Sequence, residues 1–318
     1  MFRKYKKLII CLLAMLILIP STAFAIDTEV IDEKWGKPIY VYGSGLNEEE
    51  IKSTAKLLGI SDFNNVNIKH VTGEDEIKYL GQGSGDSSAM ISSVLVKKTD
   101  EKSGISVKIQ TPDKITQITE DQYRNASITA GVNNCDIVIA SLKPVTGESA
   151  LTGIYKAFDA NGETLDIKRM KVAQIELSTT NDIAQENKEK QNFSINKLNQ
   201  VIINIKQEIN NYYNENGQNL DAQQIEKFIQ DSIKKYDLES VMTSDQVKKL
   251  TELFNQYKET DAVDSEEVKE QLGKLAGEVS TKAKEIFEDA KESGLLDKIA
   301  EFFSRIFKAI FSAFKKDN

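Results

Sequence analysis

His70 is the only histidine in this 318-residue chain. No Ser-His-Asp site, H-E-x-x-H zinc helix or multi-histidine metal cluster is built around it. It stands inside "VNIKHV", a strand pattern, and reads as structural. Cys135 opens the apolar run "CDIVIAS" and reads as a buried strand thiol. The glycines carry the remaining chemical signals. In "YVYGSGLN", Gly43 and Gly45 follow a strand and precede a helix, the setting of a phosphate cradle, but the third glycine is missing and Glu48 would face the anion. A tight turn is expected there. "YLGQGSGDSS" places Gly81, Gly83 and Gly85 in a loop between a helix and a strand, a candidate ligand contact. In "KPVTGESALTG", Thr146, Gly147 and Ser149 crowd a helix start, where backbone N–H groups could hold an anion; small residues there also permit close helix–sheet contact. Two S-x-x-K matches, "STAK" and "SINK", lack companion motifs. "DANGETLDIKRM" begins like a calcium loop and fails, with Thr164 in the glycine position and Met170 where the closing glutamate belongs. No metal site and no cofactor is expected. Acidic residues are abundant, and none stands out as half of an acid–base pair.

A different kind of signal closes the chain. On a wheel of 100° per residue, Leu295, Leu296, Ile299, Phe302, Phe303, Ile306, Phe307, Ile310, Phe311 and Phe314 share one half. Asp297, Lys298, Glu301, Arg305, Lys308, Lys315 and Lys316 share the other. An aromatic apolar face opposite a basic one suits a helix lying in an anionic membrane surface or in a partner's groove. The last helix of a bundle, docked on its own core, has the same pattern. The candidate binding residues are Phe302, Phe303, Arg305, Ile306, Phe307, Lys308, Ile310, Phe311 and Phe314.

The opposite terminus reads as a secretion signal. Arg3, Lys4, Lys6 and Lys7 precede an apolar run from Leu8 to Ile19, then Pro20 and the A-x-A site Ala23-Phe24-Ala25. Cleavage would leave a chain beginning at Ile26. It would keep 37 basic against 49 acidic residues, a net charge of −12, which argues against nucleic-acid binding. Cys11 would leave with the signal, so no intramolecular disulfide is expected. The expected location is secreted or extracellular, peripheral on the outer face of the cell membrane.

These residues need elements to hold them. "KPIYVYG", "VNIKHV", "AMISSVLVKK", "GISVKIQT" and "DIVIAS" read as strands, the third and fourth as a hairpin through "TDEKSG", and "DIVIAS" as central in a sheet. Asn47 with Glu50, Thr72, and Thr119 with Gln122 cap the intervening helices, and a further helix runs to near Gly162. The order β-α-β-α-β-β-α-β-α implies a mixed α/β sandwich. From about residue 163 strand signals stop. "NDIAQENKEKQN" reads as a linker or an exposed helix. Ile195 to Tyr212 forms one helix face, and Asp221/Gln224, Thr243/Gln246 and Asp264/Glu267 read as three capping boxes, which makes a bundle of about four helices. The expected fold class is α+β. It divides into a signal peptide (1–25), a mixed α/β domain (26–162), a helical domain (163–294) and an amphipathic basic tail helix (295–318).

The segments "IKYLGQG", "ISSVLVKKTDEKSGISVKIQT", "ITEDQYRNASITAGVNNCDIVIASLKPVTGESALTGIYKAF" and "VMTSDQVKKLTELF" resemble the YpuA-like family of secreted proteins of Gram-positive bacteria, over roughly residues 40–275. The resemblance implies an exported or envelope-associated protein and brings no catalytic residue with it. Two functions follow as expectations. One is a non-enzymatic envelope protein that binds a membrane surface or protein partner through its tail. The alternative is an enzyme acting on envelope polymers, with carboxylates or hydroxyls in the α/β domain near the 81–85 loop and the "PVTGES" turn.

Overall fold

The computed structural model describes residues 35–81, 83–217 and 220–292. The expected signal (1–25) and the 295–318 segment lie outside the described residues. Five strands, β1 (Ile39–Gly43), β2 (Asn67–Val71), β3 (Ser92–Lys98), β4 (Ile105–Ile109) and β5 (Cys135–Ser141), form one mixed sheet in the order β2-β1-β3-β5-β4. β1 runs parallel to β2 and antiparallel to β3; β5 runs antiparallel to β3 and parallel to β4. Helices α1 (Glu48–Leu57), α2 (Gly73–Leu80), α3 (Glu120–Ala130) and α4 (Ala150–Ala160) connect or follow the strands. This is the element order expected from sequence.

The expected β3–β4 hairpin is not formed, because β5 lies between the two strands. β5 is apolar on both faces: Val138 and Ala140 pack with Tyr40, Leu95, Ala55 of α1 and Leu58 just past its end, while Ile137 and Ile139 join the main core on the other side. Such a strand is most stable with a partner on each edge and cover on each face. The 99–104 connection accommodates it by stepping over its start, where Thr99 N donates to Asn134 O at 2.7 Å and Cys135 N to Gly104 O at 3.0 Å. Cys135 itself is buried, and burial pushes its thiol well above the ordinary range.

After residue 162 all described secondary structure is helical: α5 (Ile167–Asn187), α6 (Ile195–Asn216), α7 (Ala222–Lys235), α8 (Ser244–Tyr257) and α9 (Glu266–Glu292). That is one helix more than expected, and α5 is the addition. Its N-terminus is capped by Asp166, whose side chain accepts from Arg169 N at 2.8 Å. The polar stretch "NDIAQENKEKQN" is neither linker nor exposed helix. It supplies the last two turns of α5, with Asn181, Ile183, Ala184 and Asn187 buried, and then a turn. Buried polar residues on several sides of α5 hide the amphipathic period that marks a surface helix. Two caps also differ from expectation. Asp221 accepts from Gln224 N, as expected, although the box is not seen to close reciprocally. The Asp264/Glu267 box is replaced by Ser265, whose hydroxyl accepts from Val268 N at 3.3 Å.

The helices settle on α3. Arg169 of α5 donates to the carbonyls of Thr129 and Ile128 at its C-terminus, at 2.8 and 3.2 Å, where a cation complements the exposed carbonyls of a helix end. Gln271 of α9 donates to Val132 O at 3.3 Å, and Glu278 of α9 pairs with Arg124 at 2.7 Å. The buried apolar residues on this side of the sheet form one connected cluster from Trp35 to Val279.

Candidate functional site

The glycine-rich loop lies beside Glu76, and the "PVTGES" turn carries Glu148. Thr72 and Asp75 close a reciprocal cap that starts α2, and the helix carries Glu76 in its first turn. Gly81 ends it in the left-handed conformation, beside the side chain of Lys171 from α5. The chain then folds back over the helix start. A Cβ on Gly73 would lie 2.2 Å from the Gly85 carbonyl carbon, and Gly73 N donates to Ser87 Oγ at 3.1 Å. Gly83 sits against the Glu76 carboxylate, so close that a Cβ there would be 2.4 Å from Oε2.

The 145–149 turn is held from below. Ile115 and Val145 form an isolated bridge, and Gln117 N and Ile118 N both donate to Thr146 O at 3.3 Å. The Tyr123 hydroxyl donates to Gly147 O. Thr146 is exposed, Gly147 is buried against Tyr123, and Ser149 flanks α4 without a side-chain capping bond. Between Gly147 and Ser149, Glu148 is turned towards α5, where Asn181 Nδ2 donates to Glu148 Oε1 at 3.3 Å and to Gln117 Oε1 at 3.0 Å. Asn181 is only 3% exposed, and its carbonyl oxygen Oδ1 is buried without a hydrogen-bond partner.

Both carboxyls are raised. Burial, then the Glu148 charge, holds Glu76 above the ordinary carboxylate range. Burial also raises Glu148; the Asn181 hydrogen bond opposes it and the Asp182 charge adds to it. Such a pair can exchange a proton with a bound molecule or surround a cation. Either use predicts a stability cost. With folded pKa values above the unfolded ones, the unfolded chain loses these protons first as pH rises. Stability therefore falls through the window between the ordinary and the raised values and stays lower above it. Glu148→Gln is expected to raise Tm at neutral pH by a few degrees. The gain should disappear in melts taken well below the ordinary carboxylate range; a gain that is the same at both pH values would show that the charge is not its source.

Of the residues singled out from sequence, Gly81, Gly83 and Gly85 lie at the end of α2, Gly83 against Glu76, and Thr146, Gly147 and Ser149 lie beside Glu148 in the turn before α4. The tail residues, from Phe302 to Phe314, lie outside the described residues. Gln117 and Asn181 carried no local signal, because each sits in an ordinary turn or helix and only the fold brings them to Glu148 of the "PVTGES" turn. His70 is exposed on β2, with its ring 5.9 Å from that of Tyr42. "YVYGSGLN" is a tight turn, as expected, in which Gly45 N donates to Met90 O at 2.9 Å.

A second feature is a cavity of about 890 Å3 between the β3–β4 connection and the start of α9, lined by Lys98, Asn133, Glu163, Gln271 and Lys274 among others. The Lys98 amine is buried and already satisfied by Glu163 at 2.7 Å and Asn133 at 2.8 Å, and the other Glu163 oxygen accepts from Trp35 Nε1 at 2.7 Å. Its chemistry is spent on holding the N-terminal end of the described chain to the sheet.

A five-stranded mixed sheet with helices on both faces, a helical second half seated on α3, and a glutamate pair at the junction define an α/β protein with a candidate acidic binding site. The family described as "Protein of unknown function (DUF1002)" matches residues 42–275, and the chain belongs to it. It is similar to "Uncharacterized protein YpuA" of Bacillus subtilis (strain 168), at 28% identity over 319 residues, covering 98% of this chain and 100% of that protein. No solved structure matches it. The likeness to the YpuA-like family expected from the central segments is thus established.

Proposed function

We propose that this is an exported, non-enzymatic protein of the cell envelope, held peripherally at the outer face of an anionic membrane by residues 295–318. The observation that carries the reading is the division of residues 295–316 into an aromatic half and a basic half with no charge on the apolar side. The described body supports it by contrast. Its exposed large apolar side chains are Phe63, Ile68, Ile77 and Ile167, borne on four different elements, and scattered single residues of this kind are ordinary surface. No described helix is long and apolar enough to cross a membrane. Each basic residue near an anionic surface adds roughly 1 kcal/mol to apolar burial, and salt weakens that part.

Flotation with anionic vesicles tests this. The chain beginning at Ile26 should rise with the vesicles, less so in high salt, and the same chain ending at Gly294 should stay at the bottom. Equal flotation of both chains, or of neither, defeats the proposal.

A further inference from the structure

We infer that the free edge of β2 receives an extended acidic segment of a partner protein as an added antiparallel strand. This goes beyond the membrane reading and does not involve residues 295–318.

β2 lies at one end of the sheet, and among the described residues β1 is its one strand partner. Asn67 N donates to Pro38 O at 2.9 Å, and Ser44 N donates to Val71 O at 3.0 Å. In a parallel ladder of this register, Asn67, Lys69 and Val71 turn their backbone groups to β1, and Ile68 and His70 turn theirs outwards. No described backbone group meets that outward pair. The other end of the sheet is closed: on β4, Ile109 N donates to Glu120 Oε1 at 2.9 Å, and Ile105, Val107 and Ile109 are buried. Ile68 and His70 are exposed beside Tyr40 and Tyr42 of β1. Their apolar area is small, so backbone bonds must supply most of the affinity and the alternation of side chains the choice of partner.

Charge identifies the occupant. Between Ile51 and Val71 the chain carries Lys52, Lys56 and Lys69 against Asp62, in a protein of formal net charge −8. Asp62 is occupied in accepting from Asn64 N at 2.8 Å, and Lys37 reaches the same turn, donating to Asn64 O at 2.6 Å. A cavity of about 560 Å3 walled by Lys52, Lys56 and Phe63 has no carboxylate in its described lining. A second copy of this chain fits the edge badly. The two-fold register that uses Ile68 and His70 of both copies sets Lys69 against Lys69, and like charges directly opposite are unfavourable. A segment of alternating apolar and acidic residues instead sets a carboxylate against Lys69 and apolar side chains against Ile68 and His70.

Fluorescence anisotropy of a labelled peptide of alternating valine and glutamate, titrated with the chain beginning at Ile26, tests the assignment. Saturable binding that weakens with salt is expected. The valine amides then face the edge, so N-methylation of the valines should abolish binding and N-methylation of the glutamates should not. His70→Pro removes an outward donor and leaves the bonds to β1, a change that edge strands accommodate. It should weaken binding about tenfold or more. Lys69→Glu, an exposed change on the same strand, should weaken it as well, and Lys248→Glu, an exposed change on α8, should not. Absence of saturable binding overturns the inference, as does equal binding of a peptide with lysine in place of glutamate, or binding unchanged in both His70→Pro and Lys69→Glu. Binding seen only after removal of residues 26–34 would assign the edge to the chain's own leading residues, and a dimer dissolved by His70→Pro would assign it to a second copy; either result also overturns the inference. None of these results bears on vesicle flotation.

Discussion

Lys206→Met is expected to lower the free energy of unfolding by about 3–5 kcal/mol, the largest effect of any single change considered for this protein. Lys206 lies on α6 and has no exposed surface. Its ammonium donates to Glu176 Oε1 at 2.9 Å, to Thr129 Oγ1 at 3.0 Å and to Asn125 O at 3.0 Å, so all three of its protons are used. Glu176 of α5 completes the network by accepting from Thr129 Oγ1 at 2.6 Å on its other oxygen. Three helices, α3, α5 and α6, therefore meet on one buried ion pair. Burial draws the lysine pKa down while Glu176 pulls it back up. Methionine fills much of the same volume, so the loss would come from the buried Glu176 charge left without its counter-ion rather than from a cavity. The double variant Lys206→Met/Glu176→Leu should regain most of the lost stability, because both desolvated charges are then gone. Urea unfolding of the single and double variants measures this. A single-variant cost below about 1 kcal/mol, or a double variant no better than the single, would show that the pair is not the junction described.

Gly43→Ala comes second, at roughly 3 kcal/mol. Gly43 ends β1 where the chain leading into β3 crosses it. A Cβ there would lie 2.0 Å from the Met90 carbonyl oxygen, 2.4 Å from its carbon and 2.8 Å from Ile91 N. These are backbone atoms, and they cannot rotate away as a side-chain tip can. Relief would require the 88–91 segment to move, although Gly45 N holds Met90 O and β3 holds its register with β1. The opposite sign is expected on α9. Gly273 is exposed in mid-helix with nothing within 4 Å of an added Cβ, so Gly273→Ala should stabilise by about 0.5–1 kcal/mol. Thermal melts of the two variants should move in opposite directions. If Gly43→Ala melts with the wild type, the close crossing does not exist.

The parts of the fold legible in the chain are those whose bonds close within a few residues. Asn47 with Glu50, Thr119 with Gln122 and Thr243 with Gln246 all form reciprocal caps as read, because a side chain at the cap position reaches the third amide whatever surrounds it. The strands were legible for a similar reason, through alternation and apolar runs in single segments. Their pairing was not. "TDEKSG" satisfies the rules for a loop between neighbouring strands, and only the need of β5 for a partner on each edge places that strand between β3 and β4.

The same division applies to α5 and to the candidate site. Helix α5 carries polar residues inside: Gln174, Glu176, Thr180, Asn181 and Asn187 are each buried. Glu176 meets Thr129 of α3 and Lys206 of α6, Asn181 meets Gln117 and Glu148, and Thr180 and Asn187 turn back to carbonyls of α5 itself, so no apolar periodicity within the helix could announce it. Glycines 81, 83 and 85 and the turn at 146–149 were visible as places where backbone comes close to something. What they approach is a matter of packing, which sets Gly83 against Glu76 and brings Glu148, in the turn before α4, to Asn181. Short-range hydrogen bonds and side-chain period are written in consecutive residues. Which distant carboxylates share a space depends on how the helices bury their apolar sides against the sheet and α3, a balance that no local stretch contains.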